Sequence, residues 1–465
     1  MGAQDDATGD PSADPRAAFD YRGGDVAQPA LVADLQERVA GDVRFDEYTR
    51  QLYATDASAY EVTPIGVVFP ESTADVAAVA AYCASESIPI LPRGAGTSLG
   101  GQAVNEAVVL DFSRYMDDIE RVDPDEHTAR VQPGVVLGDL NAALATHDLH
   151  FGPDPAWGDQ STLGGAIGNN SSGSHSLVYG TTDAYVQSCE VVLADGTVTE
   201  LGEVTIEELR EKADADGEDL EARLCAEVAR LVDEEAETVA EAYPDIERNV
   251  SGYNLDRLVE DAESGTVNLA RLLAGSEGTL AVVTEATIGL EPKPATKAMA
   301  LLEYDSLGAA MADVSAILAH DPAAVEVLDD VLLDLARDTE AFGSLVESML
   351  TPDTGAVLLV EFYAADDREG RQLVADMLAD RLPTATAQAV PSAGASERGD
   401  EPPRAIAASE AHESAERERF WKLRKSGLPI LLGRTTDAKH VSFIEDAAVP
   451  PAVLPEFVAD FQAVL

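Results

Sequence analysis

The sequence has few positively charged side chains. Its 465 residues include 31 Lys and Arg against 86 Asp and Glu, a formal net charge of −55. The acidic residues are spread along the whole chain, so we interpret the charge as adaptation to a salt-rich cytoplasm of halophilic type, where a Debye length of roughly 3 Å at 1 M salt screens the repulsion. An acidic partner-binding surface is the alternative. The shortage of basic residues excludes the electropositive surface that nucleic-acid binding needs.

Cysteine is also scarce. Cys83, Cys189 and Cys225 are isolated, without Cys-x-x-Cys spacing. This pattern predicts buried thiols in a reducing compartment, and it excludes an iron–sulfur or zinc site built from cysteines of this chain.

Long apolar runs are missing as well. No run reaches the ~18 residues of a membrane span, and the acidic, polar N-terminus is not a signal peptide. We expect a soluble cytoplasmic protein, with peripheral attachment to the inner face of the membrane left open. Residues 1–25 are predicted to be a disordered acidic tail because they have little to bury.

The hydrophobic pattern predicts an α+β protein. A strand at 65–70, a helix facing inward through Val76 and Val79, and a strand at 87–92 form a βαβ-like unit. An Asp-Gly turn between 189 and 201 predicts a hairpin. From residue 297 onward a strand–helix–strand order occurs twice, which indicates a ferredoxin-like α+β layer.

Three stretches are rich in glycine and small polar residues. The first, Pro92–Gly101 (PRGAGTSLGG), fits neither the Walker A nor the G-x-G-x-x-G pattern. Its glycines can turn successive N–H groups toward one anion, and a diphosphate is the natural guest. The second stretch is 158–182 and the third is Gly275–Leu280 (GSEGTL). A single such stretch could be a plain turn, but three of them favour a nucleotide-like cofactor.

The three stretches, in this order and at these distances, resemble the flavoproteins of the vanillyl-alcohol-oxidase and p-cresol-methylhydroxylase type. More narrowly, they resemble the branch of D-lactate dehydrogenase, the glycolate oxidase FAD subunit and D-2-hydroxyglutarate dehydrogenase. The resemblance implies a two-subdomain FAD-binding domain (26–291) followed by a ferredoxin-like α+β cap domain for the substrate (292–465).

The resemblance also implies which residues hold FAD, without a covalent bond. The first loop would wrap the pyrophosphate, the second would pass the isoalloxazine and the ribityl chain, and the third would lead into a strand along the flavin. The candidate cofactor-binding residues are Pro92, Arg93, Gly94, Ala95, Gly96, Thr97, Ser98, Gly101, Pro153, Ser161, Thr162, Gly164, Gly165, Asn169, Ser171, Gly173, Gly275, Glu277, Gly278, Val282 and Val283.

A 2-hydroxy acid needs a cation for its carboxylate and a base for its hydroxyl proton. Trp421 and Arg424 match a Trp-x-x-Arg motif that, in the resembling dehydrogenases, places the arginine on the carboxylate. An ordinary surface salt bridge is the alternative for Arg424. His175, in the second glycine-rich stretch, is the first candidate for the base, although it could equally be a hydrogen-bonded loop histidine; His440 is the second candidate.

The sequence departs from the family in one respect. The His-x-Gly-x-Gly-x-x-His-like motif that binds a divalent metal in several members is absent, as is GDGN, so we expect no metal site in this chain. We expect either a fragment of a longer polypeptide with an incomplete cap or a chain that works with another one. The iron–sulfur portion that some members carry is also absent.

The sequence therefore predicts FAD-dependent oxidation of a D-2-hydroxy acid, D-lactate or glycolate, with electrons passed to a quinone, a cytochrome or an iron–sulfur partner. Two alternatives stay open: a non-catalytic FAD-binding subunit of a glycolate-oxidase-like complex, and an FAD oxidase of another alcohol.

Overall fold

The structure is a computed structural model that describes residues 28–464 except 245, 247, 248, 340, 341, 383–403, 426, 428, 429 and 431–446. The predicted acidic tail (1–25) and His440 lie outside the described residues.

The N-terminal sheet has four strands in the order β1-β2-β4-β3. Strands β2 and β3 both run parallel to β4, as the βαβ pattern predicts. The side chain of Ser72 caps the intervening helix by accepting a hydrogen bond from the Asp75 backbone N–H. The elements are α1 (Pro29–Gln36), β1 (Asp42–Arg44), α2 (Glu47–Leu52), β2 (Gly66–Phe69), α3 (Thr73–Ser85), β3 (Ile90–Arg93) and β4 (Val108–Asp111).

A second, antiparallel sheet follows, with the order β5-β6-β12-β8-β9, and a short pair β13-β7 lies beside it. The predicted hairpin is β8 and β9, joined through Asp195 and Gly196. The elements are β5 (Ile119–Asp123), β6 (Thr128–Val131), α4 (Leu137–Leu144), β7 (Leu149–His150), α5 (Leu163–Asn169), α6 (Ser176–Tyr179), β8 (Val186–Val192), β9 (Val198–Leu201), β12 (Val282–Gly289) and β13 (Glu291–Pro292).

A helical lobe is inserted between β9 and β12. It has a small core of its own around Leu209, Cys225, Leu258 and Val267. All three cysteines of the chain are free and buried, which confirms the prediction of buried thiols. The elements of the lobe are β10 (Glu203–Thr205), α7 (Ile206–Lys212), α8 (Leu220–Glu234), α9 (Ala236–Ala242), α10 (Leu255–Glu263) and β11 (Thr266–Asn268).

The C-terminal sheet is antiparallel with the order β15-β16-β14-β17. Its first and third strands in sequence lie at the centre, which confirms the ferredoxin-like α+β prediction. The elements are β14 (Thr296–Tyr304), α11 (Leu307–Leu318), β15 (Ala324–Leu328), α12 (Asp330–Arg337), α13 (Gly343–Met349), β16 (Ala356–Ala364), α14 (Asp367–Arg381), β17 (Ala407–Ala411), α15 (Ser414–Lys425) and α16 (Leu454–Val464).

Strand β16 is almost wholly buried because helices cover both faces of the sheet. Leu358 and Val360 pack in the cluster that includes α11 and α14, whereas Leu359 packs in the cluster that includes Phe420 and Leu423 of α15. Glu361 is the exception in this apolar strand, since it is charged and only 1% exposed. A buried carboxylate requires partners, and these partners lie at the candidate site.

Candidate functional site

The three glycine-rich stretches line one cleft of about 310 Å³. Most of the predicted cofactor residues are in its wall: Pro92, Arg93, Gly94, Ala95, Gly96, Thr97, Ser98, Ser161, Thr162, Gly164, Gly165, Asn169, Ser171, Glu277, Gly278 and Val283. The others are not among its lining residues: Gly101, Pro153, Gly173, Gly275 and Val282. Val282, for example, is buried in the hydrophobic core with Val192.

The first two loops are in direct contact. A Cβ at Gly94 would overlap the hydroxyl of Thr162, so only glycine allows this side chain to lie against the first loop. The hydroxyls of Thr97 and Ser161 are 3.0 Å apart and share a hydrogen bond. Thr162 also caps α5 by accepting from the Gly165 N–H.

The third loop is fixed to the second by backbone hydrogen bonds. The Glu277 N–H donates to the Gly168 carbonyl at 2.8 Å, and the Gly275 N–H donates to the Ile167 carbonyl at 3.0 Å. A Cβ at Gly278 would overlap the ring of Pro92 in the first loop. The three loops therefore form one continuous wall.

Arg93 lines the cleft, and its side chain also holds the first loop together. Its guanidinium donates to three backbone carbonyls, those of Tyr53 (3.2 Å), Ala103 (2.8 Å) and Thr55 (2.9 Å). Burial lowers the pKa of Arg93. The side chain is thus committed to holding the loop in shape.

The cleft wall fits a flavin dinucleotide. Gly168 lines the cleft, yet a Cβ there would make only an ordinary contact, 3.8 Å from the Glu277 Cα. Protein packing does not require glycine at this position, whereas a ligand lying against the backbone would. The hydroxyls of Thr97, Ser98 and Ser161 add polar groups to the same wall.

Several lining residues were missed from the sequence. They include Gln102, Phe112, Pro155, Ala156, Trp157 and Ser276. Trp157 could have been predicted, since it is one of two tryptophans in the chain and directly precedes the second glycine-rich stretch.

A second group of residues brings together two of the predicted catalytic side chains. His175 and Trp421 both contact Glu361 of β16: His175 Nε2 is 2.7 Å from Oε1, and Trp421 Nε1 donates to Oε2 at 2.9 Å. Lys297 Nζ is 3.1 Å from Oε1. We call Glu361, His175, Lys297 and Trp421 the Glu361 cluster. It joins the second glycine-rich stretch to the C-terminal sheet.

The surroundings of Glu361 hold it ionised. Burial by itself would raise its pKa, but the hydrogen bond from His175, the charge of Lys297 and the bond from Trp421 outweigh burial and lower the pKa of Glu361 to about 2. An ionised carboxylate can only accept hydrogen bonds.

Aromatic rings enclose the cluster. The His175 ring stacks on Tyr363 with centroids 5.6 Å apart, and its centroid is 5.5 Å from that of Trp421.

His150 lies next to these rings. The ring centroid of Tyr179 is 6.0 Å from that of Tyr363 and 5.1 Å from that of His150. Burial, helped by the charges of Lys293 and Lys297, lowers the pKa of His150 to about 4, and its Nε2 is buried without a hydrogen-bond partner.

Arg424 lies one helical turn after Trp421. Its Nε donates to Glu326 Oε2 at 2.6 Å, and the arginine side chain is 35% exposed. Glu326 and Glu361 are diagonal neighbours on one face of β15 and β16, because Ala324 pairs with Glu361 and Glu326 pairs with Leu359. The structure thus brings Arg424 to the edge of the Glu361 cluster.

Within the described part of the chain, no three His, Cys, Asp or Glu side chains are placed to hold a metal ion. The helices described there are all too short or too polar to cross a lipid bilayer.

Comparisons with known families agree with the two halves of the fold. The FAD binding domain family matches residues 64–202, and the C-terminal domain family of FAD linked oxidases matches residues 293–465.

Curated relatives cover most of this chain. D-2-hydroxyglutarate dehydrogenase of Escherichia coli (strain K12) is 32% identical over 435 residues, which are 92% of this chain and 41% of that protein. Glycolate oxidase subunit GlcD of Bacillus subtilis (strain 168) is 32% identical and covers 71% of this chain and 59% of its own. D-lactate dehydrogenase of Archaeoglobus fulgidus is 30% identical, with 72% and 61% covered. This chain therefore spans about two fifths to three fifths of these relatives.

Solved structures show the same fold. An alkyldihydroxyacetonephosphate synthase structure matches with a TM-score of 0.62 and 18% identity, over 94% of this chain and 74% of the other. A second crystal form of that enzyme gives a TM-score of 0.58 at 19% identity, with 87% and 64% covered. Two FAD-linked domain families, a matching fold and a cleft that fits the cofactor lead to one conclusion: the chain belongs to the p-cresol-methylhydroxylase-type FAD-linked oxidases, and FAD is its cofactor.

Proposed function

We propose that the protein oxidises a D-2-hydroxy acid to the corresponding 2-oxo acid, with residues 26–291 as the FAD-binding domain and 292–465 as the substrate-binding cap. One observation carries this proposal: the C-terminal sheet brings His175 and Trp421 together on Glu361, at the end of the second glycine-rich loop. Relatives named for oxidation of three 2-hydroxy acids support the reaction class. Bound FAD supplies the acceptor for the hydride from the substrate α-carbon.

Arg424 is proposed to bind the substrate carboxylate. Glu326 accepts from its Nε, and this contact orients the guanidinium while its Nη groups are the donors that we assign to the substrate. Trp421, one turn earlier, forms an apolar wall next to it. The neighbouring carboxylate also partly offsets the positive charge of Arg424, so the site can take up and release a small acid.

His175 is proposed to accept the proton of the substrate hydroxyl. Its side chain is only 11% exposed, and the rings of Tyr363 and Trp421 hold it in place. Limited access to water favours a directed proton transfer over exchange with solvent.

D-2-hydroxyglutarate is the first acid to test, since dehydrogenases of that name match 91–93% of this chain. D-lactate and glycolate follow. The electrons are proposed to pass to a quinone, a cytochrome or an iron–sulfur partner. The three cysteines of this chain are buried and isolated, so they build no iron–sulfur centre themselves.

The experiment is product analysis. FAD-loaded protein in molar KCl is incubated with an artificial electron acceptor and either enantiomer of 2-hydroxyglutarate or lactate, or with glycolate. Formation of the 2-oxo acid from a D-enantiomer, and not from its L-enantiomer, supports the proposal. Flavin-loaded protein that forms no 2-oxo acid from any of them favours the non-catalytic subunit.

A further inference from the structure

We propose that Glu361 is a positioning residue, which holds the His175 imidazole with Nε2–H toward its own carboxylate and leaves Nδ1 as the proton acceptor. The proposal deepens the function above and rests on His175 as the base.

The hydrogen-bond pattern sets the tautomer. Glu361 Oε1 is 2.7 Å from His175 Nε2. Because an ionised carboxylate cannot donate, the proton between them belongs to Nε2, and the neutral ring then carries its lone pair on Nδ1. Among the described residues, the hydrogen bond that the His175 ring makes is this one, through Nε2. The base of the reaction is thereby assigned to one atom.

The carboxylate is itself held in one place. Its Oε2 accepts from Trp421 on α15, its Oε1 also faces Lys297 on β14, and it is 1% exposed. Two elements besides its own strand therefore fix Glu361, and Glu361 in turn fixes a histidine of the second glycine-rich loop, 186 residues earlier in the chain. The ring plane is set separately by stacking on Tyr363 at an interplanar angle of 26°.

The charge of Glu361 also favours uptake of the proton. The groups that face the ring are Glu361 and Tyr363 of β16, Lys297 of β14, Trp421 of α15, and more remotely Tyr179 of α6 and His150 of β7. Glu361 is the only carboxylate within salt-bridge distance of His175 among the described residues. When Nδ1 takes a proton, the ring becomes positively charged. The carboxylate of Glu361 stabilises this charge, whereas the positive charge of Lys297 opposes it.

The first test reads the tautomer without any turnover. Protein loaded with FAD is labelled with ¹⁵N-histidine, and His175→Gln assigns the signals. We expect the wild type to show the Nε2–H tautomer for His175, and Glu361→Gln to show a mixture, because an amide can donate as well as accept. A wild-type ring with its proton on Nδ1, or an unchanged tautomer in Glu361→Gln, would overturn the proposal.

The second test is the pH profile of flavin reduction by the active D-acid. In Glu361→Gln we expect a rate at least about tenfold lower, which is part of the roughly 10²–10⁴-fold that a general base contributes. We also expect the acid limb of the profile to move to lower pH. Glu410→Gln is the matched control. Glu410 of β17 contacts His412 at 2.8 Å and is not part of the Glu361 cluster, so this variant should behave as wild type.

Equal FAD content of the three proteins establishes that Glu361→Gln folds. If Glu361→Gln keeps the wild-type profile, or is slower at every pH by the same factor, Glu361 has no role in positioning the base. If no acid reduces the wild-type flavin, the proposed function fails, and the ¹⁵N experiment still decides the tautomer.

Discussion

Arg424 donates from Nε to Glu326 Oε2 at 2.6 Å. One turn earlier on the same helix, Trp421 donates to Glu361, the diagonal neighbour of Glu326 on the C-terminal sheet. Helix α15 therefore contacts the sheet through two hydrogen bonds to neighbouring glutamates. These bonds place Arg424, which we propose to bind the substrate carboxylate, near His175, the proposed base.

Replacing Arg424 tests its proposed role. Arg424→Ala removes charge-assisted hydrogen bonds to the substrate, which are worth about 1.5–3 kcal/mol. We expect kcat/KM for the D-acid to fall about 10- to 100-fold, with FAD content unchanged. Arg419→Ala is the control, since Arg419 lies on the same helix but donates to the Ser348 hydroxyl, at 3.1 Å. A steady-state rate in Arg424→Ala equal to that of the control would remove Arg424 from the site.

Two helical glycines test the cleft wall. Gly168→Ala places a methyl group in the cleft, whereas Gly308→Ala at the start of α11 places one where no atom beyond the adjoining helix backbone lies within 4 Å. Both changes relieve the helix cost of glycine, about 1 kcal/mol, so neither apoprotein should be less stable. Only Gly168→Ala should bind FAD more weakly, as measured by flavin fluorescence titration. Equal FAD affinity of the two variants would mean that α5 does not contact the cofactor.

His150 should make the fold sensitive to mild acid. In the unfolded chain it takes up a proton near pH 6.5, while the folded chain holds it neutral down to about pH 4. The folded state is therefore penalised as the pH falls from 6.5 to 4, by about 3 kcal/mol at most. In His150→Gln the free energy of unfolding should no longer fall in this way between pH 6.5 and 4. Denaturant unfolding of both proteins at pH 7, 6 and 5 measures it, and parallel pH dependences would contradict the burial of a neutral imidazole.

Salt should stabilise the protein if the charge of −55 reflects a salt-rich cytoplasm. Screening removes most repulsion in molar salt, so Tm should rise by many degrees between 0.1 and 2 M KCl. Sucrose at matched osmolality controls for exclusion of solute from the surface. A Tm that rises no more in KCl than in sucrose would leave the charge without this explanation.

Sequence patterns predicted the parts of the molecule whose structure depends on residues close together in the chain. The glycine-rich loops, the hairpin at Asp195 and the repeated strand–helix–strand order each depend on neighbouring residues. Glu361 was missed because it lies in an apolar strand, AVLLVEFYA, where a single acid is easily taken for an outward-facing residue. Its partners Trp421 and His175 are 60 and 186 residues away. Only the packing of the C-terminal sheet against the glycine-rich loops brings them together.

Arg93, in contrast to Glu361, was singled out from the sequence, but the contacts of its side chain were not predicted. Arg93 was predicted to bind the cofactor, and it lines the cleft, but its guanidinium donates to the carbonyls of Tyr53, Thr55 and Ala103. The sequence could not indicate this, because the carbonyls belong to segments whose approach depends on the fold.

The proposed function requires that this chain itself oxidises a D-2-hydroxy acid. The most direct measurement is the visible spectrum of the FAD-loaded protein in molar KCl, without oxygen, before and after addition of D-2-hydroxyglutarate, D-lactate and glycolate in turn. We expect at least one of these acids to bleach the flavin absorbance, and Arg424→Ala to slow the bleaching. A flavin that stays oxidised with all three acids would contradict the proposed function.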